Sequence, residues 1–127
     1  GNVYVGDVGN NMIRKVSSAG VVTTLAGSTT HGSANGIGVQ AAFKAPKGVA
    51  LDRDDSVLYV ADGNNEIRRI DLASGRVGTL AGSTTPGATN GPAASASFNN
   101  PVGVAVDAGG NVYVGDTDNH QYRKITP

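Results

Sequence analysis

From Gly48 to Gly82 the chain alternates short apolar runs with clusters of small and polar residues. "GVALD" is apolar and β-rich, and "RDDS" follows it. Then come "VLYVAD", the cluster "DGNNE", "IRRID", the cluster "LASG" and finally "RVGTLAG". Runs rich in Val, Ile, Leu and Tyr, bounded by Gly, Asp, Asn and Ser, predict antiparallel strands joined by tight turns. We label these strands A, B, C and D. No stretch predicts a long helix, and the Ala-rich "GVQAAF" (Gly38–Phe43) is one turn at most.

The pattern recurs. "TLAGSTT" stands at Thr24–Thr30 and again at Thr79–Thr85, an offset of 55. The offset holds without a gap through Asp52 and Asp107, so Phe43, Pro46, Gly48 and Val49 match Phe98, Pro101, Gly103 and Val104. A second block occurs three times, as "NVYVGDVGNNMIRKV", "SVLYVADGNNEIRRI" and "NVYVGDTDNHQYRKI". The middle copy is one residue shorter in its B-to-C turn. Four-stranded units repeating every ~50 residues predict an all-β fold of propeller blades. Blade 1 covers residues 1–30 and lacks strand A. Blade 2 covers 46–83 and is complete. Blade 3 covers 101–127 and lacks strand D. The D-to-A loops between them run for roughly 20 residues, long for a connection without structure of its own. Phe43 and Phe98 are expected to anchor these loops in the core, ahead of Pro46 and Pro101 at the strand starts.

The motif "F..P.GVA.D…YVAD…N.IR.ID..G.V.TLAG" resembles the NHL repeat. It stands here as Phe43, Pro46, Gly48–Ala50, Asp52, Tyr59–Asp62, Asn65, Ile67–Arg68, Ile70–Asp71, Gly75, Val77 and Thr79–Gly82. The resemblance implies a propeller, commonly of six blades, that usually acts as a binding platform. A few relatives are lyases or hydrolases with metal sites. A closed ring needs about four to eight blades. Three blades leave apolar flanks that invite association. The expectation is a homodimer whose two copies close a six-bladed ring head to tail. The alternative is a piece of a longer propeller.

Composition narrows the chemistry. Ten basic and ten acidic residues cancel, so nothing points to nucleic acid. With no Cys and two His, neither a disulfide framework nor a His-rich metal site is expected. No cofactor is implied. No apolar run approaches the roughly 18 residues of a membrane span, so no membrane partner is expected. The absence of Cys is compatible with an exported bacterial protein.

The aspartates of the "YVxD" motif, Asp7, Asp62 and Asp116, recur in every copy. A catalytic carboxylate is needed once, whereas a turn is needed in every blade, so these are expected to be structural. Arg14, Arg68 and Arg123 on strand C are expected to pair with them or with carboxylates of an adjacent blade. The non-repeating loop residues are better candidates for individual function. His31 stands where the next copy has Pro86, and His120 where the others have Asn11 and Asn65. With Asp118, Asn35 and Asn90 they form the candidate ligand-binding set, and no catalytic residue is assigned. The expected function is non-catalytic binding or scaffolding through the loop face, with another protein or a small polar ligand as partner. The alternatives are a hydrolase or lyase with its site on that face or in a central channel, and a structural fragment without a ligand.

Overall fold

In the computed structural model, which describes residues 1–127, eleven strands form three antiparallel sheets. The first contains β1 (Val3–Asp7), β2 (Met12–Val16) and β3 (Val22–Gly27), in that order. The middle sheet contains β4 (Gly36–Ile37), β5 (Val49–Leu51), β6 (Val57–Asp62), β7 (Glu66–Asp71) and β8 (Arg76–Gly82). Its order is β4-β8-β7-β6-β5. The third contains β9 (Pro101–Val106), β10 (Val112–Asp116) and β11 (Gln121–Ile125), with β10 in the centre. The predicted A, B, C and D strands of Gly48–Gly82 are β5, β6, β7 and β8.

The D-to-A loop holds more structure than its composition predicts. Gly36 and Ile37 pair with Val77 and Arg76, adding a fifth strand to the outer edge of the sheet that this loop precedes. A 3-10 turn at Gly38–Gln40 follows. Gly and Ile in isolation carry no strand signal. The pairing exists because β8 presents an open edge at that point.

Period-two alternation sends the two faces of the middle sheet into different cores. Leu58, Val60 and Ile70 pack with Ile13, Ala26 and Phe43 on the side of the first sheet. Ala61 and Ile67 pack with Phe98, Val112 and Val114 on the side of the third. Both Phe side chains are fully buried, as expected for loop anchors. Each buried apolar side chain of this size contributes about 1.5–3 kcal/mol.

The outer sheets show what a missing neighbour does. Val60 and Val114 are completely buried, whereas Val5 at the same register position is 41% exposed. At the other end Tyr122 is 94% exposed, although Ile13 and Ile67 at its position are completely buried. Within residues 1–127, the first and third sheets thus each carry one uncovered apolar face. No helix is long and apolar enough to cross a membrane.

Candidate functional site

The loop face is built on the charged residues of strand C. Arg68 points into the sheet interior and is completely buried. Its Nη1 donates to Asp62 Oδ2 at 2.9 Å and to the Ala42 carbonyl at 2.8 Å. Its Nη2 donates to the Ala34 carbonyl at 3.0 Å and to Asn35 Oδ1 at 2.8 Å. The guanidinium lies 5.0 Å from the ring centroid of Phe43. Arg123 repeats the arrangement one unit later, with Asp116 at 2.8 Å, the Ser97 and Thr89 carbonyls, Asn90 Oδ1 at 2.6 Å and the Phe98 ring. The planar fork of Arg suits this task, because it can reach a carboxylate and several oxygens at once.

Every hydrogen-bond partner of Arg68 except Asp62 belongs to the loop before its sheet. That explains the first copy. Arg14 pairs with Asp7 at 3.1 Å, but no preceding loop covers the pair, and the two side chains remain 30% and 26% exposed. The aspartates also hold the loops directly. Asp62 Oδ1 accepts from the Lys44 N–H and Asp116 Oδ1 from the Asn99 N–H, both at 2.8 Å. Burial pushes the Asp62 carboxyl up, against the pull of the Lys44 N–H and of Arg68.

The B-to-C turns add further attachments. Asn64 Nδ2 donates to the Gly32 carbonyl, and Asn119 Nδ2 to the Gly87 carbonyl at 2.8 Å. The D-to-A loops and B-to-C turns therefore share one face. Asn11 and Asn65, both with positive φ, bond to the entry of the following sheet through Oδ1. They accept from the N–H groups of Ala45 and Asn100, each at 2.9 Å. His120 has the same left-handed backbone, φ 57°, at the third such position.

The five candidate ligand residues separate into two groups. Asn35 and Asn90 are latches. Their carboxamide oxygens are engaged by Arg68 and Arg123, a use that the loop sequence alone did not reveal. His31, Asp118 and His120 are exposed. Asp118 Oδ1 accepts from Asn100 Nδ2 at 3.3 Å. His120 lines a groove of about 310 Å³ together with Asp116, Thr117 and Tyr122. His31 sits beside Gly32, on the loop held by the middle sheet, and no hydrogen bond connects it to His120.

Three further carboxylates, Asp52, Asp107 and Glu66, were given no role by the motif reading. Asp52 and Asp107 close the A-to-B turns on the opposite side, beside a groove of about 400 Å³. Asp107 accepts from the Asn111 side chain and backbone and from Tyr113, and these bonds hold its carboxyl below the usual range. Glu66 is the other. It is buried where the sibling hairpins have Met12 and Gln121. Its Oε2 and Arg68 Nε lie 3.9 Å apart, and neither has a hydrogen-bond partner. Burial raises the Glu66 carboxyl, more than Arg68 lowers it. A folded-state pKa above the unfolded value means that stability is fully present below the unfolded pKa and is lost as pH rises through the folded one. Glu66→Gln is expected to keep or raise the neutral-pH melting temperature and to flatten its dependence on pH above the ordinary Glu range. Thermal scans across pH would show this, and a variant with an unchanged pH slope would remove Glu66 as its source.

The NHL repeat family model matches residues 98–121, from Phe98 through the Asp116–Asn119 turn. Over 132 aligned residues the chain is 33% identical to NHL repeat-containing protein 2 of Homo sapiens, with 95% of this chain covered. The chain belongs to the NHL-repeat family. It spans 18% of that human relative's length. Solved structures give the same all-β, propeller-like fold. A protein of unknown function from Bacteroides thetaiotaomicron matches with a TM-score of 0.90 and 27% identity, over 97% of this NHL chain and 32% of that one. An auxiliary nutrient binding protein from Bacteroides ovatus matches at 0.82 and 27%, over 98% and 34%.

Proposed function

We propose that this NHL segment is a non-catalytic binding or scaffolding module made of three propeller blades. Its recognition surface is the face of the D-to-A loops and B-to-C turns. One observation carries the reading. The repeated charged groups Asp62, Arg68, Asp116 and Arg123 are consumed in anchoring that face. The non-repeating residues His31, Pro86, Asp118 and His120 are thereby presented, exposed, on a fixed frame. The likeness to an auxiliary nutrient binding protein of Bacteroides ovatus supports a ligand-binding role in this reading. Native mass spectrometry against a panel of oligosaccharides tests this. A His31→Ala/His120→Ala variant is expected to lose the adducts at an unchanged melting temperature. Adducts of equal intensity on the variant would remove the loop face from recognition.

The end faces supply ring closure in this reading. In the 127-residue chain, the Val3 and Val5 face of one copy packs on the Tyr122 face of a second, head to tail. Light scattering is expected to give twice the chain mass, and Val5→Asp is expected to give a monomer, since a charge in an apolar interface is costly unless paired. A monomer at every concentration over a roughly hundredfold range around micromolar, a dilution that mass action makes decisive, would overturn self-closure.

A further inference from the structure

The outer rim of the middle sheet carries a groove of about 540 Å³, between β7, β8 and the short strand β4. Arg69 and Arg76 line it, with Asn35, Gly36, Gly78 and Thr79. Period-two alternation puts Arg76, Gly78 and Leu80 on one face of β8. Arg69 stands opposite Gly78 in the β7–β8 register, so it shares that face. Arg69 and Arg76 are therefore diagonal cross-strand neighbours, a spacing that long side chains bridge. Two like charges held this close repel. Both side chains are exposed, and neither guanidinium enters an ion pair. The carboxylates that feel the Arg69 charge, Asp52 and Asp71, are committed to their own turns. Asp52 accepts from the Ser56 hydroxyl and the Val57 N–H, and Asp71 from the Ser74 hydroxyl.

The equivalent rim of the first sheet is built differently. Val21 stands at the position of Arg76, Thr23 at that of Gly78 and Lys15 at that of Arg69. The middle sheet thus gains a guanidinium at its rim and loses the side chain between its two charges. Nothing in the fold requires that glycine. Gly78 does not have a positive φ, and a Cβ there would meet nothing within 4 Å. A glycine inside a strand weakens it, and one without a packing reason marks a place where another group comes close. The rim also stays open beside a complete neighbour. The first sheet is followed by the complete middle sheet, yet Val21 is 58% exposed and Thr23 is exposed as well.

We propose that this groove binds a tetrahedral oxyanion, the phosphate or sulfate group of a small ligand, between Arg69 and Arg76 and against the Gly78 backbone. Each guanidinium offers a planar fork of donors. One carboxylate fills one fork, whereas the oxygens of a phosphate or sulfate can be shared between two. Asn35 adds a donor. Its Oδ1 is taken by Arg68 and Thr79, which leaves the Nδ2 group for the groove. The site contains none of His31, Asp118 and His120, and it does not rest on ligand binding at the loop face.

The test titrates the chain with inorganic phosphate, sulfate and acetate at constant ionic strength, so that general screening is equal in all three. The NMR shifts of the Arg69 and Arg76 Nε–H groups and of the Gly78 amide report the site. Saturable shifts with phosphate or sulfate are expected, with acetate about tenfold weaker, the loss of one charge-assisted contact. Arg76→Val and Gly78→Thr restore the residue types of the first sheet. Each is expected to weaken the oxyanion by about tenfold or more. Gly78→Thr keeps both charges and is expected to raise the melting temperature, since Thr suits a strand better than Gly. Shifts that never saturate, or acetate as tight as phosphate and sulfate, would overturn the oxyanion site. Unchanged binding in Gly78→Thr would reduce the groove to surface charge, and a lowered melting temperature would return the glycine to the fold; either result overturns the proposal.

Discussion

Arg68→Ala is expected to destabilise the fold by about 3–5 kcal/mol, the cost of leaving one partner of a buried ion pair uncompensated. The side chain satisfies Asp62, two loop carbonyls and Asn35 from a fully buried position. Truncation leaves the Asp62 carboxylate buried with backbone N–H groups as its partners and opens space over Phe43. A loss of this size is comparable with the whole stability of a small domain. Arg14→Ala removes the repeat-equivalent residue, yet its pair is about a quarter to a third exposed and has no loop to hold. Water screens such a pair, so the expected loss is about 0–1 kcal/mol. Urea midpoints of the two variants, read at a common m-value, decide the matter. Equal losses would show that the loop latch contributes nothing beyond the salt bridge.

Gly48→Ala is expected to cost about 1–3 kcal/mol, as for other overpacked interiors. A Cβ at Gly48 would overlap the Val102 carbonyl oxygen and press on the Gly103 backbone. Both belong to β9, the strand whose edge the Gly48 N–H meets at the Val102 carbonyl, 2.9 Å away. Backbone cannot rotate aside as a side chain can, so the middle and third sheets must separate. Gly103 is the repeat equivalent, and a Cβ there meets nothing within 4 Å. Gly103→Ala is therefore expected to be tolerated, at no more than about 0.5 kcal/mol, the ordinary range for substitutions away from packed features. Thermal unfolding of the pair checks the contrast. If Gly103→Ala proves as harmful as Gly48→Ala, the cost lies in the motif's backbone and not in the sheet-to-sheet contact.

The strands were legible because each is a short apolar run between turn residues, and because repetition tests each assignment against a sibling. β6 (Val57–Asp62) and β8 (Arg76–Gly82) have the bounds that their runs predict. The Asp–Arg pairs were legible for the same reason, since a charge conserved in register within every unit must serve the unit. β4 was not legible. Its two residues form a strand only because β8 passes beside them. The latch role of Asn35 and Asn90 was equally hidden, since a loop Asn reads alike whether it faces solvent or a buried guanidinium.

The amino-acid sequence by itself determined the strand order, the unit length, the family and the residues that recur. Those properties depend on local alternation and on self-similarity, which a linear string carries in full. Only the tertiary structure decided that each long loop belongs to the sheet it precedes, that two of the three equivalent Asp–Arg pairs are buried, and where the edge of β11 stands open. Those depend on which surfaces lie against each other, and burial sets the strength of every charge and hydrogen bond among them.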